Sequence, residues 1–126
     1  MKKEFSIEII SEKISPQKLR ELADESYERL IKFVADIERG VIAAGGEMHA
    51  DAEALLLADG SEQEDLWGAN FYLFEKDPQK KVEFISLINI RPREGNRKME
   101  IESPEIREKV QILAEKLLFS SNESID

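Results

Sequence analysis

The sequence lacks cysteine, contains a single histidine and has no long hydrophobic run among its 126 residues. Without cysteine the chain can form no disulfide, no thiolate nucleophile and no cysteine-ligated zinc or iron–sulfur site. Because every apolar stretch is shorter than the about 18 residues that span a bilayer, we expect no membrane-spanning helix. Glu4 and Glu8 interrupt the apolar residues near the start, so we also expect no signal peptide. These absences favour a cytoplasmic protein.

Positive charge is scarce as well. The chain has 18 Lys and Arg residues against 27 Asp and Glu residues, which gives a formal net charge of −9. Such a charge repels the phosphates of nucleic acids and of anionic membranes, so we predict neither as a partner. A cationic protein partner is the easier interpretation, and a homo-oligomer stays open. The six glycines are too scattered for a dinucleotide-binding or Walker loop, so we predict no nucleotide cofactor.

The amount of apolar residue supports a folded chain. With 41% hydrophobic residues, the sequence predicts a single globular domain over residues 1–126, in which the polar tail 120–126 is frayed. Apolar residues that alternate with polar ones predict a first strand at 4–10.

Two helices are predicted to begin at the same dipeptide, Ser-Pro. Ser15-Pro16 and Ser103-Pro104 are each typical of an N-cap residue followed by proline in the first helical turn. Apolar residues at helical spacing follow both dipeptides, through Ile31 in the first helix and through Leu118 in the last.

The segment 33–44 permits two structures. The spacing of its apolar residues would extend the first helix to about Arg39 and end it at Gly40. Alternatively, Phe33–Glu38 forms a strand, and the chain returns through the β-branched pair Val41-Ile42 as a second strand. We favour the hairpin.

A short central helix is predicted next, from Asp51 or Ala52 to about Leu57. It would end at the turn before Ser61, and Ser61 and Glu64 have the spacing of a capping box, which predicts one further helical turn.

Two aromatic and β-branched runs, Leu66–Glu75 and Val82–Arg91, predict a second antiparallel hairpin. Its apolar face would join two sets of residues: Trp67, Ala69, Phe71 and Leu73 with Phe84, Ser86, Ile88 and Ile90. On the other face Gly68 leaves a gap, which is bordered by the amides of Asn70 and Asn89 and by the guanidinium of Arg91. We predict a pocket there. The elements together predict an α+β fold, in which a small, mostly antiparallel sheet is covered by an N-terminal and a C-terminal helix, with a short central helix.

Two stretches of this sequence resemble a known family. The strings HADAEALLLADGSEQEDLWGAN at His49–Asn70 and SLINIRPREGNR at Ser86–Arg97 are similar to those of small prokaryotic proteins classed as a domain of unknown function. The resemblance implies a soluble intracellular domain and implies no activity, cofactor or substrate.

The sharpest chemical candidate is the alternation of acidic residues around the only histidine. Glu47, His49, Asp51 and Glu53, joined by Asp36, could supply the carboxylate and imidazole ligands of a divalent metal, with His49 also a candidate catalytic base. The spacing matches no established metal motif, however. The alternative is structural, because Asp51 could cap the central helix and Glu53 could lie in its first turn.

A second group of polar residues could bind an anion. Guanidinium and amide groups bind carboxylates or phosphates, and the candidates are Asn70, Asn89, Arg91, Asn96 and Arg97. The alternative is an internal network in which Arg91 or Arg97 pairs with Asp36, Asp51 or Asp65. Trp67 is predicted to belong to the core.

These observations favour a small binding or regulatory protein that uses the acidic surface around residues 45–68. The alternative is a divalent-metal-dependent enzyme, of a hydrolase or phosphotransfer type, with a site built from His49 and carboxylates.

Overall fold

A computed structural model of the chain describes residues 6–119. Five strands form one antiparallel sheet in the order β1-β3-β2-β4-β5. The strands are β1 Ile7–Ile10, β2 Leu30–Asp36, β3 Val41–Gly45, β4 Leu66–Tyr72 and β5 Val82–Glu83, and the helices are α1 Pro16–Asp24, α2 His49–Ala58 and α3 Pro104–Leu117. The predicted α+β fold is therefore confirmed.

The two terminal helices cover one face of the sheet. Leu19 and Leu22 of α1 and Leu113 and Leu117 of α3 are buried in the main core. The strands contribute the alternate residues that point to this face, including Ile31, Phe33, Ala35, Ile42, Trp67, Ala69 and Phe71. Trp67 belongs to this core, as predicted, with only 2% of its surface exposed.

The central helix covers the middle of the other face. Ala52 and Leu56 of α2 pack on Val34, Ala43 and Leu66 in a second, smaller core. Because α2 spans only the middle strands, the region of this face near the end of β4 lies outside its cover.

The cap-plus-proline signals are confirmed at both terminal helices. The Ser15 hydroxyl accepts a hydrogen bond from the Lys18 amide at 3.1 Å, and the Ser103 hydroxyl accepts one from the Ile106 amide at 3.2 Å. Among the described residues every helix is too short or too polar to cross a bilayer.

The first helix is shorter than predicted. It ends at Asp24, and the chain turns through Glu28, which has a left-handed φ of 61°, before β2 begins at Leu30. Leu30 and Ile31 fit the helical spacing, but they lie in a strand because β2 is the centre of the sheet and pairs on both sides. Tertiary pairing outweighs the local pattern here.

The preferred hairpin between β2 and β3 is confirmed, with strand ends at Asp36 and Val41. The Asp36 carboxylate Oδ1 stabilises its turn by accepting hydrogen bonds from the amides of Glu38 at 3.0 Å and Arg39 at 2.8 Å. Gly40 completes the turn with a φ of 71°.

The central helix begins at His49, earlier than predicted, so Asp51 lies in its first turn and does not cap it. The capping box at Ser61 does not form. A single 3-10 turn does follow, at Gln63–Asp65, but its cap residue is Glu62, whose side chain makes no capping hydrogen bond. The Ser61 hydroxyl instead accepts a hydrogen bond of 2.7 Å from the Arg39 guanidinium.

The second hairpin is much shorter than predicted, because β5 contains only Val82 and Glu83. Phe84 packs against the main core as predicted. The rest of the predicted strand is wrong: the chain leaves the sheet, and Ser86 and Ile88 pack against Gly68 on the face opposite to the predicted one. A Cβ atom on Gly68 would stand 2.6 Å from the Ser86 Cβ. Ile90 is 42% exposed and does not belong to the core.

Two predictions fall partly outside the described residues. The sequence predicts the first strand from residue 4, and the structure describes it from Ile7. The tail predicted to fray, 120–126, lies wholly outside the described residues.

Candidate functional site

Asn89 holds the irregular segment after β5 against the sheet. Its side chain is fully buried. It makes the hydrogen bonds to the Gly68 backbone that a neighbouring strand would otherwise make. The Oδ1 atom accepts from the Gly68 amide at 2.8 Å, and the Nδ2 atom donates to the Gly68 carbonyl at 3.0 Å and to the Met99 carbonyl at 3.0 Å. With these bonds its side-chain amide is fully occupied, which leaves Asn89 to maintain the fold.

Asn96 has the same structural role in the following loop. The two hydrogens of its Nδ2 atom are shared among three carbonyl oxygens, those of Asn89 at 2.8 Å, Lys98 at 2.9 Å and Glu100 at 2.9 Å. Its Oδ1 atom accepts from the Glu102 amide at 2.8 Å. Arg97, the next residue, has an exposed side chain and does not point into this network.

The Arg91 guanidinium closes the network on the other side. It stacks on Trp67 at 4.1 Å from the ring centroid, donates to the Leu66 carbonyl at 2.7 Å and to the Gln63 carbonyl, and pairs with Glu94 at 3.3 Å. The expected internal network therefore exists around Arg91, but its acceptors are carbonyls and Glu94 in place of Asp36, Asp51 or Asp65.

The five metal candidates do not converge. The Asp36 side chain is buried in the β2–β3 turn, whereas Glu47 and Asp51 are exposed at the start of α2. The Glu53 carboxylate lies near Arg91: burial lowers the pKa of Arg91, and the charges of Glu94 and then Glu53 oppose that shift. Within residues 6–119 no three His, Asp or Glu side chains stand close enough to hold a metal ion together.

A pocket of about 250 Å³ lies where α2 begins, above the sheet positions of Lys32 and Asn70. Most of its lining is apolar: Met48, Ala50, Ile85, Leu87, Ile88 and Met99. The polar lining residues are Lys32, His49, Asn70 and Ser86. The pocket lies on the face where the glycine gap was predicted, but of the anion candidates only Asn70 lines it.

His49 enters this pocket as a neutral ring. Its side chain is 9% exposed, and its Nε2 atom lies 2.8 Å from the Ala69 carbonyl oxygen. Since a carbonyl can only accept, Nε2 carries the hydrogen, and Nδ1 keeps the lone pair. Burial lowers the pKa of His49 below its usual value of 6.5, and the nearby charge of Lys32 lowers it further.

Asn70 carries an unsatisfied atom beside the pocket. Its Nδ2 atom donates to the Glu83 carboxylate at 3.0 Å, which fixes the orientation of the amide because a carboxylate accepts only. The opposite atom, Oδ1, is buried and has no hydrogen-bond partner. The Tyr72 hydroxyl donates to the same Glu83 oxygen at 2.9 Å, so Glu83 holds both neighbours.

A second surface lies on the outside of α2. Its exposed residues are almost all apolar: Ala50, Asp51, Ala54, Leu55, Leu57 and Ala58. Leu55 is 37% exposed and Leu57 is 40% exposed. We call this set the outer face of α2.

The segment that follows this outer face is crowded with carboxylates. Through a shared hydrogen bond and its charge, the Glu64 carboxyl raises the pKa of Glu62. Burial raises the pKa of Asp65, and the charges of Asp36 and Glu64 add to the effect. Negative charge is thus concentrated beyond the C-terminal end of α2.

Comparison with known proteins gives a family. A family model described as a protein of unknown function (DUF5674) matches residues 8–117, which is most of the chain. The chain belongs to the DUF5674 family. Searches of curated proteins and of solved structures find no match to it.

Several residues of this DUF5674 pocket were not selected from the sequence. Lys32 interrupts the apolar run of β2, and a lone charge in a buried strand is a signal that could have drawn attention to it. The exposed side chains of Met48, Leu87 and Met99 come from three separate segments. Only the fold brings them together.

Proposed function

We propose that this protein is a cytoplasmic binding protein that docks a cationic protein partner on the outer face of α2 and on the carboxylates that follow it. The observation that carries the proposal is the composition of α2. Among the six residues of its outer face only Asp51 is charged.

A helix on a protein surface ordinarily turns charged residues to water and apolar residues to the core. The inner residues Ala52 and Leu56 of α2 are buried, yet Leu55 and Leu57, which flank Leu56 on the two sides of the helix, are apolar and exposed. A helix that is hydrophobic all round is typical of an element covered on both sides. Exposed apolar surface of this kind marks interaction sites.

The charge around this face selects the partner. Asp59, Glu62 and Glu64 are exposed just beyond the end of α2, and Glu47 is exposed just before its start. A hydrogen bond with Glu64 raises the pKa of Glu62, and repulsion by the charges of Glu64 and Asp65 adds to the effect. A partner with Lys or Arg around an apolar patch would relieve that repulsion and satisfy both regions of the surface.

The same charges disfavour a second copy of this chain. In a symmetric dimer through the outer face of α2, equal patches meet, so acidic residues would face acidic residues. The net charge of −9 also disfavours nucleic acid and anionic membranes as partners.

The test is capture of partners from a lysate of the source cells on immobilised protein, followed by purification of the captured protein. We compare wild type with Leu57→Arg and with the double variant Glu62→Lys and Glu64→Lys. The matched control is Ile112→Arg, because Ile112 is 56% exposed on α3, on the other side of the sheet. We expect the α2 variants to bind the purified partner at least about tenfold more weakly, equal to about 1.4 kcal/mol.

Two further readouts make the result decisive. Binding should fall at about 1 M salt, where charges are screened within about 3 Å, and hydrogen-exchange protection by the partner should fall within residues 47–64. Equal loss in Leu57→Arg and Ile112→Arg, or protection on α3, would contradict the proposal. So would a wild-type dimer in light scattering that Leu57→Arg dissociates, since the occupant would then be a second copy.

A further inference from the structure

We infer that the pocket at the start of α2 binds a small carboxylate with an apolar body and a hydrogen-bond donor on the atom next to the carboxylate-bearing carbon. The pocket adjoins the partner surface proposed above and shares Ala50 with it. Each feature of the ligand corresponds to a feature of the pocket.

The apolar body of the ligand would contact the apolar residues that make up most of the pocket wall. Met48 is 52% exposed, Leu87 is 65% exposed and Met99 is 41% exposed, and all three line the pocket. Ligand sites are typically apolar cavities with a few placed polar groups. At about 250 Å³ this pocket lies just below the range of drug-sized sites, which limits the occupant to a small molecule.

The carboxylate of the ligand would pair with the Lys32 ammonium. This ammonium lies 5.0 Å above the ring of Tyr27, and among the described residues it makes no ion pair, although the chain has an excess of carboxylates. It therefore offers an unpaired positive charge at a largely apolar pocket, where a charge interaction is stronger than in open water. A single cation suits a singly charged ligand.

The first turn of α2 supports the same end of the ligand. Its N-cap, Met48, has no side chain that can satisfy the free amides of the helix, and Met48, His49 and Ala50 line the pocket. Free amides at a helix N-terminus favour an anion. This turn adds to the effect of Lys32 and does not constitute the site.

The hydrogen-bond donor of the ligand would bond to an acceptor atom of Asn70 or His49. The Asn70 Oδ1 atom is buried without a partner, and it can only accept a hydrogen bond. The His49 ring is buried next to Asn70, with which it interacts, and its Nδ1 atom is the acceptor of the neutral ring. An amide N–H or a hydroxyl on the ligand would satisfy one of these acceptors, whereas an ammonium group would be repelled by Lys32.

The test is titration of the purified full chain with N-acetyl-L-leucine, which has all three features, followed by calorimetry and by NMR. The comparison ligands are N-acetyl-L-leucinamide, which lacks the charge, and 4-methylpentanoate, which lacks the donor. We expect N-acetyl-L-leucine to bind with a Kd of about 1 mM or below. Each comparison ligand should bind at least about tenfold more weakly.

The protein variants separate charge from shape. Lys32→Met should weaken binding of N-acetyl-L-leucine at least about tenfold and leave binding of its amide unchanged. The matched control, Lys76→Met, alters an exposed lysine in the loop after β4 and should change neither. Ala50→Trp, at an exposed position on the pocket wall, should block all three ligands by filling the opening.

Thermal unfolding of each variant checks that the fold is intact, and Leu57→Arg checks that this site is independent of the partner surface. Leu57→Arg should bind N-acetyl-L-leucine like wild type. Equal binding of the acid and its amide, equal effects of Lys32→Met and Lys76→Met, or no saturable binding of N-acetyl-L-leucine would each overturn the inference.

Discussion

The two faces of the sheet are built in different ways. On one face α1 and α3 enclose a continuous apolar core with Phe33 and Phe71 at its centre. On the other face α2 covers only the middle strands, and the remainder is a polar row in which Lys32, Asn70 and Glu83 are direct cross-strand neighbours. Buried polar atoms without a hydrogen-bond partner occur in both regions, at Trp67 Nε1 in the main core and at Asn70 Oδ1 on the second face. The first face provides stability, and the second has room for binding.

The comparison is tested most strongly by removing one large side chain from each face. Phe71 is fully buried and stacks on Phe119 with ring centroids 5.2 Å apart. Phe71→Ala should therefore lower the free energy of unfolding by about 3–5 kcal/mol, whereas Leu56→Ala in the smaller core should cost about 2–3 kcal/mol. Urea denaturation measures both values. A larger cost for Leu56→Ala would show that α2, and not the pair of helices, dominates stability.

Asn96 tests the polar segment that follows β5. The Asn96→Ala variant loses all the hydrogen bonds of a buried side-chain amide and leaves carbonyls of the segment 89–100 without a donor. We expect a loss of about 3 kcal/mol in the free energy of unfolding. Arg97→Ala is the matched control next to it, and as an exposed substitution it should stay within about 0.5 kcal/mol. Similar values for the two variants would show that the Asn96 network contributes little.

His49 gives the smallest effect, and it depends on pH. Burial and then Lys32 hold the pKa of His49 below 6.5, so between the folded pKa and 6.5 the unfolded chain binds more protons than the folded one. The neutral His49 ring therefore contributes fully to the free energy of unfolding above about pH 6.5. This contribution is lost as the pH falls through the pKa of His49 in the folded state. The slope is at most about 1.4 kcal/mol per pH unit.

The comparison variant is His49→Gln, which keeps an N–H for the Ala69 carbonyl and cannot titrate. Urea denaturation at about pH 7.5 and about pH 5 gives the free energy of unfolding for both proteins. The stability of wild type relative to the variant should decrease at the lower pH, and the carboxylates common to both cancel. A difference that stays constant would show that His49 has an ordinary pKa.

Much of the fold could be predicted because the signals were local. The serine–proline pairs mark α1 and α3, and the β-branched pair Val41-Ile42 marks the hairpin. The end of α1 could not be predicted, because Leu30 and Ile31 satisfy helical spacing and strand composition at once. Only pairing with β4 on one side and β3 on the other decides between them.

The site was less predictable, since its contacts are distant in sequence. Alternation in residues 84–90 resembles a strand, but the Asn89 amide takes the hydrogen bonds of Gly68 that a longer β5 would have taken. Likewise, the sequence around His49 indicates ligands for a metal, whereas the ring bonds to the Ala69 carbonyl, twenty residues away. Polar residues at regular spacing do not reveal which backbone groups they will meet.

The bonds of Asn89 and Arg91 also bear on whether a strand of another chain can add to this sheet. Beyond the short β5, the outer edge of β4 would present open backbone groups, the template on which a foreign strand can add and aggregation can begin. Asn89 occupies both groups of Gly68, and Arg91 occupies the Leu66 carbonyl. Two side chains thus close a sheet edge that most proteins protect with a bulge, a proline or a lysine, and strand addition there would first have to displace them.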